Sequence, residues 1–292
     1  MIVTLGDLTL DILVKPDKAG AAVHPNSPGS VTMTGGGPAP NFAVWVARLG
    51  GGVRFIGKVG DDAAATLLVW DLLKEGVLPE TVHAKGSTAT LTHVMREGRT
   101  ELIPDRGVAV KLRPEELDES WLSDARWLHL PAPSLLALPI GTAAARAVRL
   151  ARQAKAKLSI DLCSAAAIKD YGPGKVTVLL RTLRPDVIFA KEEEAVLFDA
   201  GTLGDIARVA VLKLREGGCG VSDETGYKEY PPEKLRTVDQ AGASDAFNAA
   251  WCLTYLATNS AEQACRRAVK LYARVAAHHG TRPTVDLKGI AN

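Results

Sequence analysis

The chain contains 292 residues, of which 23% are charged, and its formal net charge is only +2. A chain of this length can bury a sizeable core, and its charge gives no reason to expect a nucleic acid or an anionic membrane as a partner. The sequence shows neither a leader segment nor a run of about 18 apolar residues, so we expect a cytoplasmic protein without membrane contact.

Cysteine and histidine form no recognisable metal-binding pattern. The four cysteines lack the Cys-x-x-Cys spacing, and no histidine lies near them at ligand spacing. Isolated cysteines of this kind are usually small core residues. We therefore predict core positions for Cys163, Cys219, Cys252 and Cys265.

The N-terminal segment combines a short strand with two acidic side chains. Residues 1–5 read as a buried strand that leads into a turn containing Asp7 and Asp11. Ligands of parallel α/β sheets lie beyond the carboxyl ends of strands, so both carboxylates are placed where a ligand could bind. Turn chemistry is the simpler explanation for Asp7, whereas for Asp11 a turn role and a ligand role both stay open. Prolines and glycines interrupt residues 12–33, which indicates an excursion from the main sheet.

A glycine-rich loop at 34–37 then feeds an apolar helix. Asn41 is the predicted N-cap of this helix and Gly50 its C-cap. A strand and a helix reaching to about Glu75 follow, and alternating residues on both sides of 97–99 predict a hairpin.

From residue 114 onward, short apolar strands alternate with helical segments, which predicts a parallel sheet with crossover helices. The predicted strands are 127–130, 158–161, 187–190 and 209–214. A ribbon ending near Tyr230 and two long helices, the second capped by Ser260, complete the chain. The acidic run 192–194 opens a helix. Its simplest interpretation is surface charge that interacts favourably with the helix dipole.

Small residues open the first of the two long helices, at Gly242-Ala-Ser-Asp245. Unpaired N–H groups and the helix dipole make such a start a site for an anion such as phosphate. A carboxylate beside phosphate needs a task of its own, and for Asp245 a general base aimed at a substrate hydroxyl is one. The residues alone leave open that Asp245 only interacts with the dipole and that Gly242 only makes a turn.

Together these stretches resemble the pfkB, or ribokinase-like, carbohydrate kinases. The matching residues are Gly36, Gly37, Asn41, Ala43, Leu49 and Gly50, then Gly57, Val59, Gly60 and Asp62, and finally Asp239, Gly242, Ala243, Asp245 and Phe247. The resemblance implies a single α/β domain over residues 1–292. Its fold would be a three-layer sandwich around a mainly parallel sheet, with a small β-sheet lid from about 12–33 and 85–106.

The resemblance also implies an ATP-dependent phosphotransferase that phosphorylates a hydroxymethyl group of a small sugar or sugar acid. Asp245 would be the general base, beside an anion hole formed by Gly242, Ala243 and Ser244. The implied sugar-binding residues are Asp11, Gly36, Gly37 and Asn41. The implied nucleotide-binding residues are Lys191, Lys213, Arg215, Gly218 and Gly280, the last in a loop that closes over adenine in relatives. Glu194 and Asp239 would organise Mg²⁺. A monovalent cation and a homodimer formed through the lid are left open.

Several positions depart from the family pattern. Ser244 and Arg215 replace glycines, Lys191 replaces an asparagine, and Ala165 stands where many relatives have an arginine near the phosphates. We expect Lys191 to supply the positive charge that Ala165 lacks, with a solvent-facing lysine as the alternative. These departures keep open a catalytically weak ligand-binding protein on the same fold. A nucleotide-using enzyme of another reaction type ranks last, because the sequence lacks Gly-x-Gly-x-x-Gly near its N-terminus.

The composition of the proposed lid bears on the substrate. Residues 12–33 and 85–106 contain no Phe, Tyr or Trp. Nucleoside bases are usually held by aromatic stacking, so a sugar is favoured over a nucleoside, and a nucleoside kinase is the alternative. Basic lid residues leave room for a sugar acid, although charges on such strands usually face water. They are Lys85, Arg96, Arg99 and Arg106.

Overall fold

A computed structural model describes residues 1–16, 29–96 and 99–290. In this part of the chain, strands form one sheet of nine and one of four. The strands are β1 (Ile2–Leu5), β2 (Thr9–Pro16), β3 (Gly29–Gly36), β4 (Val53–Gly60), β5 (Leu78–Ala84), β6 (Ala89–Arg96), β7 (Arg99–Asp105), β8 (Trp127–Pro131), β9 (Lys157–Asp161), β10 (Val187–Lys191), β11 (Val209–Lys213), β12 (Cys219–Asp223) and β13 (Gly226–Tyr230).

The helices pack on both sides of the larger sheet. They are α1 (Pro38–Arg48), α2 (Ala63–Lys74), α3 (Ser120–Ser123), α4 (Ala132–Leu136), α5 (Ile140–Gln153), α6 (Ala165–Tyr171), α7 (Pro173–Leu183), α8 (Glu192–Ala195), α9 (Thr202–Ile206), α10 (Ala243–Thr258) and α11 (Ala261–Ala276). Short 3₁₀ turns lie at Ala109–Lys111 and Pro114–Glu116. None of the helices in the described ranges is both long and apolar enough to cross a membrane.

The larger sheet has the order β13-β12-β11-β10-β9-β8-β1-β4-β5. Its strands pair in parallel except that β12 is antiparallel to both neighbours. One apolar cluster, with Trp45 and Trp251, covers the face under α1, α10 and α11. A second cluster, with Ile140 and Leu180, covers the face under α5 and α7. Helices on both faces of a mainly parallel sheet confirm the predicted three-layer α/β fold.

The smaller sheet has the order β3-β2-β6-β7, with β2 antiparallel to β3 and parallel to β6. Its strands come from the two segments predicted to form the lid, of which residues 17–28 and 97–98 lie outside the described ranges. The strand register places Met33, Ile12 and Ile103 in one row across the sheet. Met33 and Ile103 are exposed.

Two local predictions need correction, and one strand was missed. Helix α1 begins at Pro38 with Gly37 as its N-cap, so the predicted N-cap role of Asn41 is wrong. Proline suits a first helical turn because it lacks the N–H group that would be unpaired there. Cys163 is partly exposed, unlike the other three cysteines, because it follows the end of β9. Strand β5 was not predicted, since it is an edge strand whose side chains are mostly half-exposed.

Candidate active site

Helix α10 begins against the loop that follows α11. Its N-cap, Gly242, has φ of 70°, and a Cβ atom there would lie 2.1 Å from the backbone oxygen of Thr281. Only glycine allows this approach. The N–H group of Ala243 donates to the Gln240 carbonyl oxygen. An anion hole at this helix start therefore depends on the N–H groups of Gly242, Ser244 and Asp245 and not on that of Ala243.

Asp245 lies in the first turn of α10 and is only partly accessible. Its Oδ2 accepts a hydrogen bond of 3.0 Å from Nδ2 of Asn41. Burial, together with the nearby Asp161 carboxylate, raises the pKa of Asp245 to about 7. A carboxyl group with a pKa close to the working pH is suited to accept a proton in catalysis. A carboxylate that only interacted with the helix dipole would not benefit from burial that raises its pKa.

Asn41 is buried and is held from its other side by the loop after α11. Its Oδ1 accepts a hydrogen bond of 2.7 Å from Nε of Arg282. Nη1 of Arg282 donates to Asp71 of α2 at 2.8 Å. The family resemblance implied that this loop closes over adenine, and the contact of Arg282 with Asn41 was not predicted. Asn41 and Arg282 are 241 residues apart, and no local pattern reports such a contact.

The predicted sugar-binding residues meet where the smaller sheet joins the larger one. Asp11 accepts a hydrogen bond of 2.9 Å from Thr9. Burial raises the pKa of Asp11, although the hydrogen bond from Thr9 lowers it. A Cβ atom on Gly36 would lie 2.2 Å from Oδ2 of Asp11, so this carboxylate rests directly on the Gly36 backbone. Arg282 is close enough to Asp11 to act on its charge.

Arg106, one of the basic residues of the predicted lid, does not simply face water. Its Nε donates to Oδ2 of Asp7 at 2.6 Å. Asp7 follows β1, so this ion pair joins the end of β7 to the main sheet. Lys85 is exposed, and the side chains of Arg96 and Arg99 lie outside the described set.

A buried polar network lies between β9, β11 and α10. Nζ of Lys213 is 2.9 Å from Oδ1 of Asp161, and Asn248 donates to the other Asp161 oxygen at 2.7 Å. Burial opposes the charge on Lys213, but the Asp161 and Glu194 carboxylates outweigh it and raise the pKa of Lys213. Lys213 is thus paired with Asp161 inside the protein. The sequence did not predict this network.

Glu194 is fully buried, so the surface-charge interpretation of the acidic run is wrong at this position, although Glu193 is exposed. Its Oε2 accepts from the backbone N–H of Lys191 at 2.7 Å. Burial, together with Asp161, raises the pKa of Glu194 to about 7. Its Oε1 has no hydrogen-bond partner within the described residues. A buried carboxylate oxygen left over in this way fits a divalent cation or a water bound to it.

Asp239, the second predicted magnesium residue, holds two loops together. Its carboxylate oxygens accept from the backbone N–H groups of Ala241 and Gly280, each at 2.9 Å. Gly280 therefore supports the loop before α10. Across the described ranges, no group of three or more His, Cys, Asp or Glu side chains is arranged to hold a metal ion. Glu194 fits magnesium better than Asp239 does.

One cavity opens beside the start of α10, and a second cavity adjoins it. The first has a volume of about 240 Å³, and Lys191, Lys213, Arg215 and Ser244 contribute to its walls. The second, of about 760 Å³, shares Arg215 with it and extends to Gly218. Strand register sets Lys191 opposite Lys213, which explains why both lysines reach the same cavity. The structure therefore groups four of the five predicted nucleotide-binding residues around these two cavities. Gly280 lines neither cavity and is hydrogen-bonded to Asp239.

Known proteins resemble the chain over nearly its whole length. The family model for "pfkB family carbohydrate kinase" matches residues 1–287. An ATP-dependent ribose-1-phosphate kinase of Halopiger xanaduensis is 31% identical over 296 residues, which cover 98% of this chain and 95% of that protein. Fructokinase-1 of Zea mays is 28% identical, covering 85% of this chain and 80% of that protein. The structure of a Xylella fastidiosa fructokinase with bound ATP has a TM-score of 0.84 at 23% identity, covering 96% and 93% of the two chains.

Proposed function

The chain belongs to the pfkB family of carbohydrate kinases, and from this membership we propose that it transfers a phosphoryl group from ATP to a hydroxymethyl group of a small sugar or sugar acid. The position of Asp245 carries the proposal. It combines a raised pKa with a place in the first turn of α10, next to the cavity lined by Ser244. A proton acceptor and an anion site adjoin there, as phosphoryl transfer to an alcohol requires.

Each part of the site has a proposed task. Asp245 takes the proton of the sugar hydroxyl, and the N–H groups of Ser244 and Asp245 stabilise charge on the transferring group. Lys191 and Arg215 attract the phosphates of the nucleotide from the wall of the adjoining cavity. Mg²⁺ neutralises phosphate charge when it is bound with the nucleotide. Glu194 would hold it or its water, with Asp239 supporting the loop nearby.

The sugar site is proposed at Asp11, Gly36, Gly37 and Asn41, beside the catalytic base. The absence of aromatic residues from the two lid segments supports a sugar over a nucleoside. Similarity to a ribose-1-phosphate kinase over 98% of this chain adds a sugar phosphate as a second candidate. Pairing of Arg106 with Asp7 weakens the argument from lid charges for a sugar acid.

The smaller sheet is proposed to act as a lid and as a dimer contact. Met33 and Ile103 in its row are exposed apolar side chains, which a second copy of the sheet would cover, whereas Ile12 between them packs against the main core. Met33→Glu should then yield a monomer in analytical ultracentrifugation, where the parent protein is a dimer. A parent protein that sediments as a monomer at micromolar concentration contradicts this proposal.

Turnover with a panel of acceptors tests the function. ADP release should be measured with ribose, fructose, a sugar acid, ribose 1-phosphate and adenosine. We expect a sugar or sugar derivative to be preferred, and Asp245→Asn to lower kcat by roughly 100-fold or more, as expected for a lost general base. Much higher efficiency with adenosine would assign the chain to nucleosides. Near-normal turnover in Asp245→Asn would remove Asp245 from its role.

A further inference from the structure

We propose that Arg282 is a positioning residue for the catalytic base. It would fix the side-chain amide of Asn41 so that the amide N–H group is directed at Asp245. This inference rests on the proposed role of Asp245 as the base. Arg282 itself touches neither reacting group, and its effect would pass through Asn41.

The chemistry of the three groups allows only one orientation of the amide. A guanidinium can only donate hydrogen bonds, and an ionised carboxylate can only accept them. Asn41 lies between the two, with Oδ1 2.7 Å from Nε of Arg282 and Nδ2 3.0 Å from Oδ2 of Asp245. A flipped amide would set its oxygen against the carboxylate and its NH₂ against the guanidinium. Arg282 therefore penalises the flipped state from the end of the amide opposite to Asp245.

Arg282 is itself held firmly. Its side chain is 8% exposed, and Nη1 donates to Asp71 at 2.8 Å. Arg48 donates from Nη1 to the backbone oxygen of Arg282 at 3.0 Å and also pairs with Glu75. A Cβ atom on Gly35 would lie 2.8 Å from Nη1 of Arg282, so the guanidinium also packs against strand β3 of the smaller sheet. Contacts with α1, α2 and β3 leave it little freedom to move.

The Asn41 hydrogen bond is the contact with Asp245 that depends on Arg282. The charged groups that act on Asp245 come from other elements, namely Asp161 from β9, Lys213 from β11 and Lys191 from β10. Asp161 raises the pKa of Asp245, whereas the two lysines and the Asn41 hydrogen bond lower it. A hydrogen bond to the charged form favours ionisation, so its loss raises the pKa further. Removing the guanidinium should thus raise the pKa of Asp245, while Asp161, Lys213 and Lys191 all remain in place.

The pH profile of turnover distinguishes this role from a structural one. In Arg282→Met we expect the acid limb of kcat/KM to move up by about one pH unit, corresponding to a tenfold change in proton affinity. Arg274→Met is the matched control, because Arg274 anchors the same C-terminal segment through the backbone oxygens of Asp286 and Lys288 and contacts neither Arg282 nor Asn41. It should lower Tm yet leave the acid limb in place. Arg282→Lys, which keeps the charge but loses the planar fork, should give a smaller shift and serves if Arg282→Met does not fold.

A second measurement does not need turnover. Protein labelled with ¹³C at the aspartate carboxyl carbons can be titrated by NMR, with the Asp245 signal assigned by its loss in Asp245→Asn. The apparent pKa of that signal should rise by about one unit in Arg282→Met and stay unchanged in Arg274→Met. An unchanged pKa in both folded Arg282 variants overturns the inference. Normal turnover in Asp245→Asn would instead overturn the proposed base, and the NMR titration would still report on Arg282.

Discussion

Asp161 forms a buried ion pair with Lys213, and the same Asp161 carboxylate raises the pKa of Asp245. Both partners of the pair are at most 4% exposed. Lys213 therefore compensates the charge of Asp161 on one side, while the same charge acts on Asp245 on the other. The strength of this ion pair and the proton affinity of Asp245 are linked through a single side chain.

Lys213→Met should destabilise the protein strongly. Loss of one partner of a buried ion pair leaves the other charge uncompensated, at a cost of about 3 to 5 kcal/mol. The double variant Asp161→Asn with Lys213→Met should recover much of that loss, because no buried charge then remains from the pair. Urea unfolding of both variants measures the difference. Equal stability of the single and double variants would contradict this account of the pair.

Asp245→Asn should stabilise the fold at alkaline pH. The folded state raises the pKa of Asp245 from 3.8 to about 7, so it favours the protonated carboxyl group. That contribution is complete below about pH 4 and is lost as the pH rises through 7. An asparagine does not ionise, so the variant should gain about 1 to 3 kcal/mol over the parent at pH 8 and little at pH 4. Denaturant unfolding at both pH values tests the sign, and a pH-independent difference would count against the raised pKa.

Lys191→Ala should lower kcat/KM for ATP by roughly 10-fold or more, a loss of at least about 1.4 kcal/mol in transition-state stabilisation. The lysine lines the cavity beside Ser244, and its side chain is 41% exposed. Removal should therefore leave stability nearly unchanged. Lys175→Ala, at an exposed position in α7, is the matched control. Equal efficiency of both variants throughout a magnesium titration would show that Lys191 simply faces solvent.

Gly36→Ala should weaken sugar binding while the fold is retained. The new Cβ atom would lie 2.2 Å from Oδ2 of Asp11, so the Asp11 side chain must leave its present position. We expect the KM for the sugar to rise by about 10-fold or more, the loss of one charge-assisted hydrogen bond. The control is Gly174→Ala in α7, where an added Cβ meets open space. A sugar KM that stays at the parent value would separate Asp11 from substrate binding.

The sequence was most informative where structure depends on local pattern. Apolar runs predicted strands such as β8 and β10, and the small residues at the start of α10 predicted the helix start. Contacts that join distant segments were missed, among them Lys213 with Asp161 and Arg282 with Asn41. Glu194 shows the reason in physical terms. An acidic run at a helix start has the same pattern whether the chain around it covers a carboxylate or leaves it in water, and here Glu194 is buried while Glu193 is exposed.

The contact between Asn41 and Arg282 has a consequence for the order in which the protein matures during translation. The last strand, β13, ends at Tyr230, so every described strand of the main sheet is synthesised before α10 emerges. Asn41, made early, meets Asp245 only after 204 further residues and Arg282 after 241. A nascent chain can therefore assemble this sheet while Asn41 still lacks both of these partners. The contact that fixes the Asn41 amide forms only after Arg282 has been synthesised.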